Sequence, residues 1–190
     1  MHIAASARLS WLFAAIFAIG LAFAAPATAA PPVETIDARS KAALQELFKA
    51  QPVARTYANR ATAILVIPNY SRGGLIIGGG YGAGALFKGG RIVDHYEVRS
   101  GSIGLQIGYM ERDQIIMFMT EEALQSFTDG TDWEFGADAS FALIDTGLGG
   151  SVSVADFNVP VIVFVNDPRG LMASAVISGN QYLRLEPEAQ

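Results

Sequence analysis

The sequence predicts an α+β fold that is mostly β: a curved or closed antiparallel sheet of about eight short strands, with an N-terminal helical region and one short internal helix. Three observations predict it. Ile36, Ala43, Leu44, Leu47 and Phe48 recur at helical spacing, as one apolar stripe of a helix does. From Ala63 onward, short apolar or alternating runs take over, punctuated by glycine and proline. Many short strands joined by tight turns suggest a sheet that limits its exposed edges by curling on itself.

The first segment is set apart from this fold. Arg8 precedes an apolar run from Leu9 to Ala25, followed by Pro26 and Ala27-Thr28-Ala29. A base, an apolar middle and a small-residue exit describe a secretory signal peptide. The run falls short of the roughly 20 apolar residues of a membrane-spanning helix. The expected organisation is therefore a signal peptide at 1–29 and a single domain at 30–190, periplasmic or secreted. The chain has no cysteine, so no disulfide and no acylated N-terminal cysteine enters the argument, and stability must come from packing.

The export segment holds one base and no acid. The domain at 30–190 thus carries 12 of the 13 Lys and Arg residues against all 18 acids. That balance argues against nucleic-acid binding, where a basic field supplies most of the affinity.

Thr35 reads as the N-cap of a helix running to about Ala50, with Pro52 as its stop. A further short helical turn is expected over Val53 to Ala61. Ala63 to Ile67 is an apolar strand ended by Pro68. Leu75 to Ile77 opens a glycine tract, Gly78 to Gly84, and Arg91 to Val98 reads as a strand. Ile103, Leu105, Ile107 and Tyr109 alternate with Gly104, Gln106 and Gly108, a period of two with one nearly bare face. Gln114 to Met119 is another apolar strand. Thr120 then caps a short helix, Glu121 to Phe127, whose two acids sit in the favoured first turn. Trp133 to Leu143 alternates bulky with small or acidic residues and is the strongest strand pattern. Gly147 to Gly150 turns into Ser151 to Phe157, and Val161 to Val165 is apolar throughout. Asp167 to Gly170 is a turn. Leu171 to Ile177 and Gln181 to Leu185 complete the sheet.

The glycine tract fits a dinucleotide fingerprint on paper, as Gly80-x-Gly82-x-x-Ala85. That mechanism needs a helix directly after the glycines, and Gly89-Gly90 follows too soon for one. Close backbone packing is the simpler reading. His95 is the one histidine beyond the export segment. Asp94 and Tyr96 point away from it in a strand, no Gly-x-Ser-x-Gly elbow is present, and one histidine without cysteine makes a poor zinc site. Asp129, Asp132 and Glu134 lack calcium-loop spacing. No catalytic group, cofactor or metal is expected. What remains is a basic and aromatic stretch within an acidic chain. Tyr70, Arg72, Tyr81, Lys88, Arg91 and Arg99, with His95 at the rim, could together meet the phosphate of a lipid headgroup.

Several segments in order resemble the SYLF domain family, which includes actin-patch proteins of fungi. They are Ala61 to Pro68 with the glycine tract, Gly101 to Gly108, Ile115 to Phe127, Trp133 to Ser140 and Asn166 to Ala173. The resemblance implies a lipid-binding, non-catalytic domain, which in eukaryotic members recognises phosphoinositides and in some members actin filaments. In eukaryotic members the N-terminal helix is basic and amphipathic. Here Glu34, Asp37 and Glu46 balance Arg39, Lys41 and Lys49, so phosphoinositide-style attraction is weakened. The export segment speaks against actin. The expectation is an exported envelope protein that binds a lipid or another amphiphile. The alternative is a structural or protein-interaction module without a small ligand, and the ligand's identity and the oligomeric state stay open.

Overall fold

A computed structural model describes residues 30–74, 77–103, 108–130, 141–145, 159–170 and 180–186. Residues 1–29, the bare alternation at 104–107, the pattern from Trp133 to Ser140, Gly147 to Phe157 and Leu171 to Ile177 lie outside the described residues. So do Asp132 and Glu134.

The chain is α+β and mostly β. Helix α1 spans Val33–Ala50 and α2 spans Pro52–Ala58. Four long strands follow: β1 (Ala63–Gly74), β2 (Ile77–Lys88), β3 (Arg91–Ile103) and β4 (Gly108–Phe118). Helix α3 (Glu121–Asp129) then precedes β5 (Phe141–Asp145), β6 (Val161–Gly170) and β7 (Asn180–Arg184). The described strands form one sheet in the order β5-β6-β4-β1-β2-β3-β7.

Three details correct the sequence reading. The sheet is open, since its end strands β5 and β7 do not pair, and it is mixed, because β5 runs parallel to β6. A parallel pair needs a connection of a dozen or more residues, and 146–160 supplies it. The first four strands are also long rather than short. Finally, two boundaries move. Helix α1 begins at Val33, with Pro32 as an N-cap that makes no side-chain bond, and the Pro32 carbonyl accepts from the Thr35 and Ile36 amides. Thr35 is therefore inside the helix. Pro52 opens α2 at its first position, where its missing N–H costs nothing.

Pro68 does not end β1. The strand passes through Pro68 by a bulge in which Asn69 takes φ 54°, a left-handed conformation that asparagine tolerates. Two acids of β4 hold the bulge. The Asn69 amide donates to Asp113 Oδ1 at 2.9 Å, and its side-chain nitrogen donates to Glu111 Oε1 at 2.6 Å. Beyond it the register with β4 has shifted.

The sheet buries both faces. One face carries Ile64, Val66, Ala83, Ala85, Phe87, Ile115 and Met117 beneath Ile36, Ala43 and Leu47 of α1 and Ala54 and Tyr57 of α2. The small side chains of Ser40 and Ala43 let α1 approach closely, and Ser40 Oγ donates to the Val66 carbonyl at 3.3 Å. The other face carries Leu65, Ile67, Tyr70, Tyr96, Val98, Ile116, Phe118 and Tyr182 against Ala123, Leu124 and Phe127 of α3. Thr120 caps α3 as its sequence predicts, accepting from the Ala123 amide at 3.2 Å. Phe127 sits among three rings, with centroids 4.8 Å from Tyr96, 4.9 Å from Phe118 and 5.8 Å from Tyr182. No helix among the described residues is long and apolar enough to cross a membrane.

Candidate functional site

The parity of the strands decides where the basic and aromatic residues go. Tyr70 and Arg72, two apart in β1, lie on the α3 face, both buried. Tyr81, His95 and Arg99 lie on the α1 face. Tyr81 sits opposite Arg99 in the β2–β3 register and opposite Ser71 in the β1–β2 register. Lys88 and Arg91 flank the Gly89-Gly90 turn at the end of the β2–β3 hairpin. The seven residues therefore divide among two faces and one sheet end, and do not form a single patch.

Each set has its own partners. Arg99 pairs with Glu97 at 2.7 Å, and Lys88 pairs with Glu121 of α3 at 3.1 Å. His95 Nε2 lies 2.7 Å from Asp37 Oδ1, so it ties β3 to α1. The acid it meets is 58 residues away in sequence, and no local pattern announces it. Tyr81 has its hydroxyl buried with no hydrogen-bond partner among the described residues, and burial raises its pKa above the ordinary tyrosine value, with Glu97 adding to the rise.

Tyr70 anchors a polar seam inside the α3 face. Its hydroxyl lies 2.6 Å from Ser100 Oγ on β3 and donates to Asn180 Oδ1 on β7 at 3.3 Å. Asn180 in turn donates to the Tyr182 hydroxyl at 3.5 Å. Tyr70 starts on β1 and Ser100 is on β3, so the ring must cross β2. Strands lie about 4.8 Å apart, and the crossing is open because β2 presents only glycine there. A Cβ at Gly80 would collide with the Tyr70 hydroxyl, and one at Gly82 would sit 2.7 Å from Ile67 Cγ2. Close packing is thus what the glycine tract does, as its sequence reading held. Burial raises the Tyr70 pKa, against smaller lowering influences from the Ser100 hydrogen bond and Arg72. Tyr182 is raised strongly, again by burial first. The seam is closed and structural in character.

The open site is elsewhere. Between α1, α2 and the β1–β2 end of the sheet runs a groove of about 540 Å³. Leu44 and Phe48 of α1, Ala58 and Ala61 around the end of α2, and Ile64 and Phe87 of the sheet give it apolar walls. Lys41, Gln45, Asn59 and Thr62 supply polar groups, and the Gly89-Gly90 turn borders it. The helix-side residues recur at 41, 44, 45 and 48, one flank of α1 at helical spacing. The turn takes φ 60° and 77° at Gly89 and Gly90, the positive pair that a two-residue hairpin demands, and it leaves open space where side chains would stand. Arg55 of α2 stacks 4.8 Å from the centre of the Phe48 ring. The size falls within the roughly 300–1,000 Å³ of small-molecule sites, which combine apolar walls with a few polar groups. None of the seven residues singled out from the sequence lines this groove. Leu44 and Phe48 belong to the apolar stripe of α1, but they stay only partly buried and wall the groove.

Among the described residues, no group of three or more His, Asp or Glu side chains could hold a metal ion.

Comparison with known families finds a match over part of the chain. Residues 99–186, from within β3 through β7, match the family Ysc84, described as Las17-binding protein actin regulator. No curated protein matches the chain. The matched stretch contains Ser100, Asn180 and Tyr182 of the polar seam, while the groove is built from residues 41–90, ahead of it.

Proposed function

Since the chain belongs to the SYLF-domain family through residues 99–186, we propose that it is an exported, non-catalytic binding protein of the cell envelope, and that its ligand is a lipid or another amphiphile. The observation that carries this reading is the apolar groove between α1, α2 and the β1–β2 end of the sheet. A hydrocarbon chain laid along Leu44, Phe48, Ile64 and Phe87 leaves water at about 25 cal/mol per Å² of apolar area. The export segment at 1–29 supports a periplasmic or secreted location. The acidic balance of the domain supports binding through an apolar surface rather than broad attraction to anionic membranes or nucleic acid. His95 acts here as a tie to Asp37 rather than as a base. The protein-binding and actin-regulating description of the matched family supports the second reading, a docking module without a small ligand.

One experiment separates the two. The protein is purified gently from its own envelope fraction, and its mass is measured under native conditions, followed by lipid analysis of the denatured sample. A stoichiometric amphiphile supports the proposal. Apo protein that co-purifies with a stable protein partner supports the docking module.

A further inference from the structure

We infer that the groove selects a single-chain amphiphile with an anionic head, such as a free fatty acid, and that Lys41 receives the head. The inference rests on the amphiphile-binding reading above and names the ligand class for the same groove.

Three observations carry it. First, Lys41 is the one charged residue among the described residues that line the groove, in a chain with 18 acids against 13 Lys and Arg residues. Two other bases of the helices are engaged, Lys49 with Glu46 at 3.3 Å and the Arg55 guanidinium with the Phe48 ring, and Arg39 does not line the groove. Lys41 is exposed and makes no ion pair among the described residues. A lysine lays its methylene stem along apolar surface and keeps its ammonium at the water boundary, which places a cation where an apolar tail would end. Second, the neighbouring polar groups of Gln45, Asn59 and Thr62 can all donate hydrogen bonds, and Arg60 follows the lining residue Asn59 directly in sequence. An anionic head is the complement of that set, and a cationic head would meet Lys41 unfavourably. Third, the volume of about 540 Å³ suits one drug-sized ligand, and a two-chain phospholipid outgrows it.

The test uses dodecanoate, uncharged 1-dodecanol and cationic dodecyltrimethylammonium, titrated into the full domain by calorimetry, with phosphatidylglycerol vesicles as a separate arm. Dodecanoate should bind one per chain and about tenfold or more tighter than dodecyltrimethylammonium, a difference of about 1.4 kcal/mol. Lys41→Gln should weaken dodecanoate about tenfold and leave 1-dodecanol unchanged. Ala61→Trp, which fills the groove from its rim, should remove binding of both, and Ala58→Trp serves as a second block if the first variant unfolds. Equal affinity for all three probes, unmoved by Lys41→Gln, would overturn the anionic selection while leaving the amphiphile reading intact. Failure of all three to bind would overturn both. Binding that survives both tryptophan variants, or that requires vesicles, would place the ligand elsewhere and overturn the inference.

Discussion

The hydroxyl of Tyr70 occupies the space that a side chain at Gly80 would need. The two residues sit on neighbouring strands, and the ring reaches over β2 to Ser100 because β2 is bare at that point. Backbone is as close at Gly84, where a Cβ would run into the Val66 carbonyl. Gly79, on the opposite face, has its nearest contact at an ordinary 3.5 Å. Gly80→Ala and Gly84→Ala should each destabilise the domain by about 1–3 kcal/mol, the cost of overpacking. Gly79→Ala should change stability by under about 0.5 kcal/mol, as substitutions away from special features do. Urea unfolding of the three variants checks the order. A Gly84→Ala variant as stable as Gly79→Ala would remove close packing as the reason for the glycine tract.

Tyrosine burial makes the domain sensitive to alkali. Tyr70, Tyr96 and Tyr182 all have pKa values raised above the ordinary tyrosine value, each chiefly by burial. In the unfolded chain they ionise near pH 10. A raised folded value means that the stability is fully present below about pH 10 and is lost as pH climbs toward the folded values. Stability measured by urea midpoint should therefore hold between pH 8 and pH 9.5 and fall steeply above about pH 10. Tyr182→Phe should flatten that fall. A midpoint that does not move between pH 9 and pH 11.5 would contradict the burial of these phenols.

What the sequence disclosed divides along the range of the forces involved. Local chemistry was legible. Thr120 announces the α3 cap, and the apolar run of Val161 to Val165 a fully buried strand. Proline was read rightly once and misled once, because its meaning depends on where the missing N–H falls: α1 does end at Ala50, ahead of Pro52, whereas β1 runs on through Pro68. Pro52 opens α2 where no hydrogen bond is needed, and Pro68 sits in a bulge where Asn69 turns left-handed. Strand parity misled the site reading. Residues within a short stretch of sequence, such as Tyr70, Arg72 and Tyr81, face opposite sides of the sheet, and the bulge at Asn69 resets which side comes next. The parallel β5–β6 pair and the groove depend on segments brought together from far apart, which no local pattern encodes.

Phe127 fastens α3 to the sheet through three aromatic neighbours. Each such ring pair contributes about 0.5–1.5 kcal/mol beyond its area burial. Phe127→Ala should therefore cost about 3–5 kcal/mol, the range for deleting a buried aromatic side chain. Thr120→Ala at the start of the same helix should cost about 0.5–2 kcal/mol through loss of the cap. Chemical denaturation gives both values. If Phe127→Ala costs no more than Thr120→Ala, α3 is held by its own turn chemistry rather than by the sheet.

His95 and Asp37 join β3 to α1 with a 2.7 Å contact, half buried on both sides. Only one other side-chain hydrogen bond among the described residues joins α1 to the sheet, from Ser40 Oγ to the Val66 carbonyl. The apolar contacts of Ile36, Ala43 and Leu47 supply most of the docking energy, so the helix should not detach when the pair is broken. The pair should instead set how often the N-terminal turns of α1 open. His95→Gln and Asp37→Asn should each cost about 1 kcal/mol, in the range of a partly exposed, charge-assisted hydrogen bond. The double variant should cost less than the two singles added together, since each single already breaks the same contact. Amide exchange over residues 33–40 should quicken in both single variants while exchange in β4 stays unchanged. Strict additivity of the two substitutions, or exchange that quickens equally across the sheet, would show that the contact does not latch the helix.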